Sequence, residues 1–374
     1  MKILYISSAQ SLGGGERHLG DLANGMAQRG HEVFVALRPA SPLINELKNL
    51  RKENLTTLPL RNALDAKSAR DLSKLVTGKG IQIVHAHMAR DYPLAAYATR
   101  KNPHARLIVT RHVLFALNPL HRITLGRAAR VIAVSQAVAS GLAKSNVAAP
   151  EKITVVHNGV DTARFALARD GFDRSEFLRD WELPEDSLLV GTVGELTPLK
   201  GQAEFLKAAS QVAQRYPNAY FIIAGTDNSS DRTNGAALED LILRLKLKER
   251  VRSVPWLEDI AQLYCGLDVF VSASHTESFG LAIAEAMACS TTVIATATGG
   301  VTELVQPGET GLMVPVGHVG ELAEAMLDLL GNKEKRVRLG EAAQRAIALK
   351  FTITRMLDNT ERIYREELAT TATE

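Results

Sequence analysis

The sequence predicts an α/β chain built as two Rossmann-like domains, each around a parallel sheet. Three observations predict it. Short runs of apolar and β-branched residues alternate with helical segments along the chain, the pattern of parallel sheets that bind ligands at the carboxyl ends of their strands. A glycine-bearing loop follows the first strand of each half, Ser11-Leu-Gly-Gly-Gly-Glu16 in one and Gly194-Glu-Leu-Thr-Pro-Leu-Lys-Gly201 in the other. Between the halves, residues 162–187 are charged, irregular and turn-rich, as linkers are.

Residues 2–7 read as the first strand, because their apolar core is too short for a signal peptide. The glycine-rich loop leads into a helix with Leu19, Leu22, Ala23 and Met26 on one face. Gly30 ends that helix and residues 31–37 form the next strand. The glycines do not have dinucleotide spacing and no acid ends the second strand, which argues against a dehydrogenase. Residues 81–87, 107–110 and 131–135 are the next strands, with helices at 94–100 and 136–144, and 153–156 runs into His157-Asn-Gly-Val-Asp161. His85, His87, His112 and His157 all fall at carboxyl ends of strands, and periodicity does not separate ligand-binding from hydrogen-bonded structural histidines there. The second series has strands at 188–193, 220–224, 251–254, 269–272 and 293–296, and the tail 351–367 is helical.

Composition sets bounds on function. The 374 residues suffice for two ordinary cores, and 46% hydrophobic with 23% charged residues is the balance of a soluble globular protein. No apolar run approaches the roughly 18 residues of a membrane span. Cys265 and Cys289 lack metal-ligand spacing and sit in apolar segments, so they read as thiols in a reducing compartment. The net charge of +3 hides an asymmetry. Up to residue 185 about 26 basic residues face about 16 acidic ones, and the balance reverses afterwards. A basic first half points to an anionic partner: a phosphorylated acceptor, lipopolysaccharide or acidic membrane surface. No aromatic-basic stacking motif supports nucleic acid.

The most informative stretch is 272–288. A polar loop follows the strand 269–272, then Phe279-Gly-Leu-Ala-Ile-Ala-Glu-Ala-Met-Ala288 opens a helix. Glu277 lies in the loop, and Gly280 lets backbone approach a ligand. Glu285 stands about two turns on among apolar residues, where a carboxylate is costly without partners. Two acceptor-only carboxylates at one strand-to-helix corner suit a polyhydroxyl ligand.

Glu277-x7-Glu285 with the following Ala-Met-Ala, Val293-Ile-Ala-Thr296, Gly299-Gly300-Val-Thr-Glu303 and Gly311-Leu-Met-Val-Pro315 resembles the retaining glycosyltransferases of family 4. The resemblance implies the GT-B fold, in which two Rossmann-like domains face each other across a cleft and close over the donor. It divides the chain into an acceptor-side domain (1–170), a linker (171–187), a nucleotide-sugar domain (188–350) and a terminal helix crossing back (351–374). It implies a sugar nucleotide of the UDP, GDP or ADP type as donor and a cell-envelope glycan, lipopolysaccharide or lipid as acceptor. The protein is then cytoplasmic and peripheral at the inner face of the cytoplasmic membrane.

By the same resemblance, His112, Lys200 and Glu277 form the catalytic group. Glu285 binds the nucleotide ribose, and Glu277 contacts the donor sugar. Phe279, Gly280 and Leu281 offer backbone N–H groups, while Gly14, Gly194, Gly299, Gly300 and Glu303 line the donor side. Gly13, Glu16, His87 and Arg111 belong to the acceptor side. Glu195 stands where the family carries an arginine that clamps the diphosphate. No Asp-x-Asp pair occurs, so no metal and no cofactor are expected, and basic side chains with backbone N–H groups stabilise the leaving diphosphate. Retention follows from membership, and without an evident nucleophile front-face displacement is the expected route. The competing classes are a non-catalytic scaffold of the same architecture, docking to an anionic membrane or partner, and a nucleotide-sugar epimerase.

Overall fold

The computed structural model describes residues 1–370 except 230 and 258. The chain forms two compact units, Met1–Gly159 with the terminal segment from Ile353, and Val160–Thr352.

The first unit holds a sheet of seven strands: β1 (Lys2–Ser7), β2 (Glu32–Leu37), β3 (Leu55–Thr57), β4 (Ile83–Ala86), β5 (Arg106–Arg111), β6 (Arg130–Ala133) and β7 (Ile153–Val155). Their order is β3-β2-β1-β4-β5-β6-β7 and every pairing is parallel. The second unit holds β8 (Leu188–Val193), β9 (Ala219–Ala224), β10 (Val251–Val254), β11 (Val269–Ser272), β12 (Thr292–Thr296) and β13 (Leu312–Val314). These run β10-β9-β8-β11-β12-β13, again parallel. In both sheets the order reverses beside the first strand, between β1 and β4 and between β8 and β11. Connections leave such a switch point in opposite directions, opening a crevice at its carboxyl end.

Each sheet has its own core. Tyr5, Met26, Ile83 and Ile108 lie in one, Phe205, Phe221, Val271 and Met326 in the other. The terminal helix Ile353–Thr370 completes the first core: Tyr364 is fully buried and donates to the Tyr5 hydroxyl at 3.2 Å. Arg29 pairs with Glu361 (2.8 Å) and Asp358 (2.6 Å), and Arg130 with Glu367 (2.7 Å), fixing the helix along its length.

The expected linker, 171–187, is not a free connection, and the first unit ends at Gly159 rather than 170. Helix Arg174–Asp180 occupies this stretch, and helix Thr162–Asp170 precedes it. Asp161 and Asp173 accept backbone N–H bonds at their starts, and Phe165 and Phe177 are buried. The Arg174 guanidinium donates to Gly266 O, Ser187 O and Asp268. The charges that read as solvated loop are caps and an ion pair inside the second unit.

Candidate active site

The second unit assembles its site at the β8/β11 switch point. The loop after β8 is tied down by Leu196 N–H to Thr226 O (3.0 Å) and by Gln202 Nε2 to Glu195 O (2.9 Å). It ends in the turn Pro198–Lys200 and in Gly201, which has φ +67° and starts the helix Gln202–Arg215. A Cβ at Gly201 would lie 2.0 Å from Ala273 O, so the loop is pressed onto the chain leaving β11. His275 N–H donates to Leu199 O at 2.8 Å across the same seam. Gly201→Ala is expected to cost about 2 kcal/mol or more, through left-handed strain and this clash, and to lower Tm by about 5 °C. Scanning calorimetry of the variant checks it.

That seam brings Lys200 and Glu277, 77 residues apart, into a hydrogen-bonded ion pair. Glu277 Oε1 also accepts from Ser274 Oγ at 3.1 Å, and Thr296 Oγ1 holds Ser274 O at 2.5 Å. The Glu277 side chain is 14% exposed and Lys200 33%, so the pair stands in the wall with the ammonium outermost. Gly300 N–H donates to Glu277 O at 2.9 Å, and a Cβ on Gly300 would lie 2.4 Å from Ser278 O. Gly299 and Gly300 thus let the β12 loop close over the Glu277 loop, and Glu303 lies half-buried in the short helix Val301–Leu304 beyond.

Gly280, at φ +101°, turns the chain into the helix Leu281–Ala288, which no side chain caps. The first-turn N–H groups of such a helix have no intrahelical acceptor, and its dipole favours an anion there. Phe279 is buried, with its ring edge-on to Phe351 at 5.7 Å, so it contributes backbone only. One turn into the helix, Glu285 Oε2 accepts from the Tyr264 hydroxyl at 2.9 Å. The fully buried Tyr264 is the partner this carboxylate required. Its signal in the sequence is a polar ring tip inside the apolar run 260–266. Glu195 is exposed to solvent, and Gly194 precedes it where β8 ends.

The first unit gathers a second constellation at the carboxyl ends of β4 and β5. His87 Nδ1 and His112 Nε2 are 3.1 Å apart with rings stacked at 5.4 Å, and His18 meets His112 edge-on at 4.9 Å. His18 comes from helix Gly14–Gln28, which the glycine-rich loop brings so close that a Cβ on Gly15 would lie 3.3 Å from the His112 ring. Behind them His85 is locked between the Tyr364 hydroxyl (2.5 Å) and Thr110 Oγ1 (2.7 Å). His18 Nδ1, His87 Nε2 and His112 Nδ1 are buried without a hydrogen-bond partner. Burial lowers all these imidazole pKa values, His18 to about 4, and neighbouring histidines deepen the fall at His85, His87 and His112. The cluster is neutral at physiological pH and can both donate and accept protons. One nitrogen from each of His18, His87 and His112 lies within 4.8 Å of the others, spacing that could also hold a metal ion.

Two further expectations resolve differently. Glu16 Oε2 accepts from Gly13 N–H at 3.0 Å, so this carboxylate caps its own helix. Arg111 is 6% exposed and donates from Nη2 to Phe115 O, which commits its guanidinium to the loop after β5. His18 and Asp91 escaped the sequence reading. Asp91 is 1% exposed, accepts from Ser8 N–H at 2.8 Å, and has its pKa raised to about 6 by burial.

Comparison with known proteins agrees in both units. Residues 12–164 match the family described as Glycosyltransferase Family 4, and residues 173–346 the one described as Glycosyl transferases group 1. D-inositol 3-phosphate glycosyltransferase of Salinispora tropica is 31% identical over 301 residues, covering 78% of this chain and 60% of that protein. The chain thus spans less than two thirds of the length of that curated relative. N-acetyl-alpha-D-glucosaminyl L-malate synthase of Bacillus anthracis is 24% identical over 366 residues, covering 93% of this chain and 92% of that one. The crystal structure of Anabaena HepE in complex with UDP is similar with a TM-score of 0.85 at 23% identity, over 98% of this chain and 100% of the other.

Proposed function

We propose, on the premise that this chain belongs to the family 4 glycosyltransferases of GT-B fold, that it moves a sugar from a nucleotide diphosphate to an anionic envelope glycan or lipid. The observation that carries the reading is the Lys200–Glu277 pair at the β8/β11 switch point.

Cleaving the donor's glycosidic bond leaves negative charge on the departing diphosphate. Lys200 and the uncapped N–H groups at Leu281 stand ready for it, a point charge beside a helix dipole. Glu277, released as the ammonium turns to phosphate, accepts from sugar hydroxyls. Glu285, aimed by Tyr264, accepts from the ribose hydroxyls. On the first unit the neutral His87–His112 pair supplies a donor and an acceptor to hydroxyl groups. These groups supply the charge stabilisation without a metal; retention follows from family membership, and with no side chain assigned as nucleophile the route is front-face displacement. The relatives named for inositol 3-phosphate and malate acceptors fit an anionic acceptor here.

Calorimetric titration with UDP, GDP and ADP, with and without EDTA, tests the donor side. One nucleotide is expected to bind whether or not EDTA is present. Glu285→Gln should weaken it about 30-fold, the loss of charged hydrogen bonds worth about 2 kcal/mol. Failure to bind any of the three would overturn the transferase and favour a docking scaffold with the exposed Glu195 marking a lost diphosphate site. Binding or transfer lost in EDTA would instead overturn the metal-free route.

A further inference from the structure

We infer that a cation-lined cavity at the amino-terminal edge of the first sheet holds the phosphate of an anionic phospholipid and seats the first unit on a membrane surface. The inference deepens the reading above, resting on it for the anionic character of the acceptor side.

The cavity measures about 480 Å³, and Arg100, Arg106, Arg127 and Lys152 line it without a carboxylate among its walls. Topology converges them: Arg106 opens β5, Lys152 immediately precedes β7, Arg127 precedes β6, and Arg100 ends the helix Tyr92–Arg100. The histidine cluster lies at the other end of β5, about 17 Å along the strand, so this is a separate place. The acid that pairs with a lining cation is Glu367, which is spent mainly on Arg130 (2.7 Å) and reaches Arg106 only at 3.5 Å. Among the described residues no carboxylate pairs with Arg100, Arg127 or Lys152, and Arg106 Nε is buried with no partner. Lys152 Nζ donates to Gly126 O (2.8 Å) and Ala128 O (2.9 Å), which fixes one positive charge at the mouth. Several like charges held around one cavity repel each other and call for an anion.

The neighbouring surface says which anion. Helix His121–Leu125 packs against Tyr92–Arg100 and leads into Arg127. Leu120, just before it, is 71% exposed and Ile123 on it 65%, with Arg122 between them. Exposed aliphatic side chains interleaved with arginines suit the headgroup boundary of an acidic bilayer, where apolar groups enter the acyl region and cations meet phosphate. A soluble phosphate would leave these aliphatic groups without a role.

The test uses the full chain in flotation with phosphatidylcholine vesicles, with and without phosphatidylglycerol, beside titration with inorganic phosphate and pyrophosphate. The wild type is expected to float only with the phosphatidylglycerol vesicles. Arg100→Glu combined with Arg127→Glu should lose at least about tenfold in vesicle affinity. Leu120→Ser combined with Ile123→Ser should keep binding at low salt and lose it at high salt. Circular dichroism and thermal unfolding of the same preparations show that both variants fold. Equal flotation of wild type and charge-reversed protein overturns the inference. So does binding of free phosphate or pyrophosphate without vesicle binding. A wild type that takes nucleotide yet ignores acidic vesicles also sinks it and leaves the transferase intact, whereas flotation without nucleotide binding does the reverse.

Discussion

Lys200→Ala is expected to lower the rate of sugar transfer about 10³-fold while changing the donor KM less than tenfold. The reasoning starts from where charge develops. In the resting protein the ammonium is neutralised by Glu277, whose Oε1 it shares with Ser274 Oγ. Ground-state donor must compete with that carboxylate, so the gain on binding is small. As the glycosidic bond breaks, the diphosphate oxygen takes up a full charge and the ammonium is worth most there. Loss of one such preorganised donor costs about 10² to 10³ in kcat. A second effect adds to it: Glu277, 14% exposed, keeps its charge and loses its counterion, which repels the leaving group. Lys200→Arg should restore part of the rate but not all of it, since the planar guanidinium does not reproduce a point charge in this seam. Steady-state kinetics with the nucleotide named by titration decides. A fall in kcat below tenfold, or a loss confined to KM, would remove Lys200 from the transition state.

The residues at strand ends were legible because a parallel α/β alternation fixes where loops emerge. Lys200, Glu277, His87 and His112 each follow a readable strand, and all four stand at a switch-point loop or the strand beside it. What could not be read were partners set by packing. Tyr264 reaches Glu285 from a different helix, and Gly201 reaches Ala273 O across two loops. Glu16 was read as facing a ligand, yet it sits three residues after Gly13, the spacing of a helix cap. His18 lies on a helix whose apolar face suggested core alone, and its proximity to His112 depends on how the glycine-rich loop sets that helix. Residues 171–187 misled for the opposite reason: their charges have partners up to about 90 residues away, which a local charge count cannot see.

Acidification from pH 7 to pH 5 is expected to destabilise the first unit selectively. His18, His85, His87 and His112 have folded pKa values below the ordinary 6.5, chiefly through burial. An imidazole held neutral in the fold takes up its proton in the unfolded chain first. Stability is therefore full above about 6.5 and is lost as pH falls toward the folded values, near 4 for His18. At pH 5 His18 alone costs about 2 kcal/mol relative to neutrality, and His85, His87 and His112 act in the same direction. Asp91 opposes them, because its folded pKa of about 6 makes the fold bind a proton that the unfolded chain does not. That contribution is about 1 kcal/mol at pH 5. The half-buried Glu16, also raised, acts in the same direction. Four histidines act against these two carboxyls, so the net result of acidification is a loss of stability in the first unit. The second unit has no such buried histidine cluster: His275 and His318 are exposed. Hydrogen exchange at pH 7 and pH 5, corrected for intrinsic rates, separates the units. Amides of β1, β4 and β5 should lose protection at pH 5 while those of β8, β9 and β11 keep theirs. Equal loss in both sheets would mean that general acid expansion, and not the histidine cluster, governs the response.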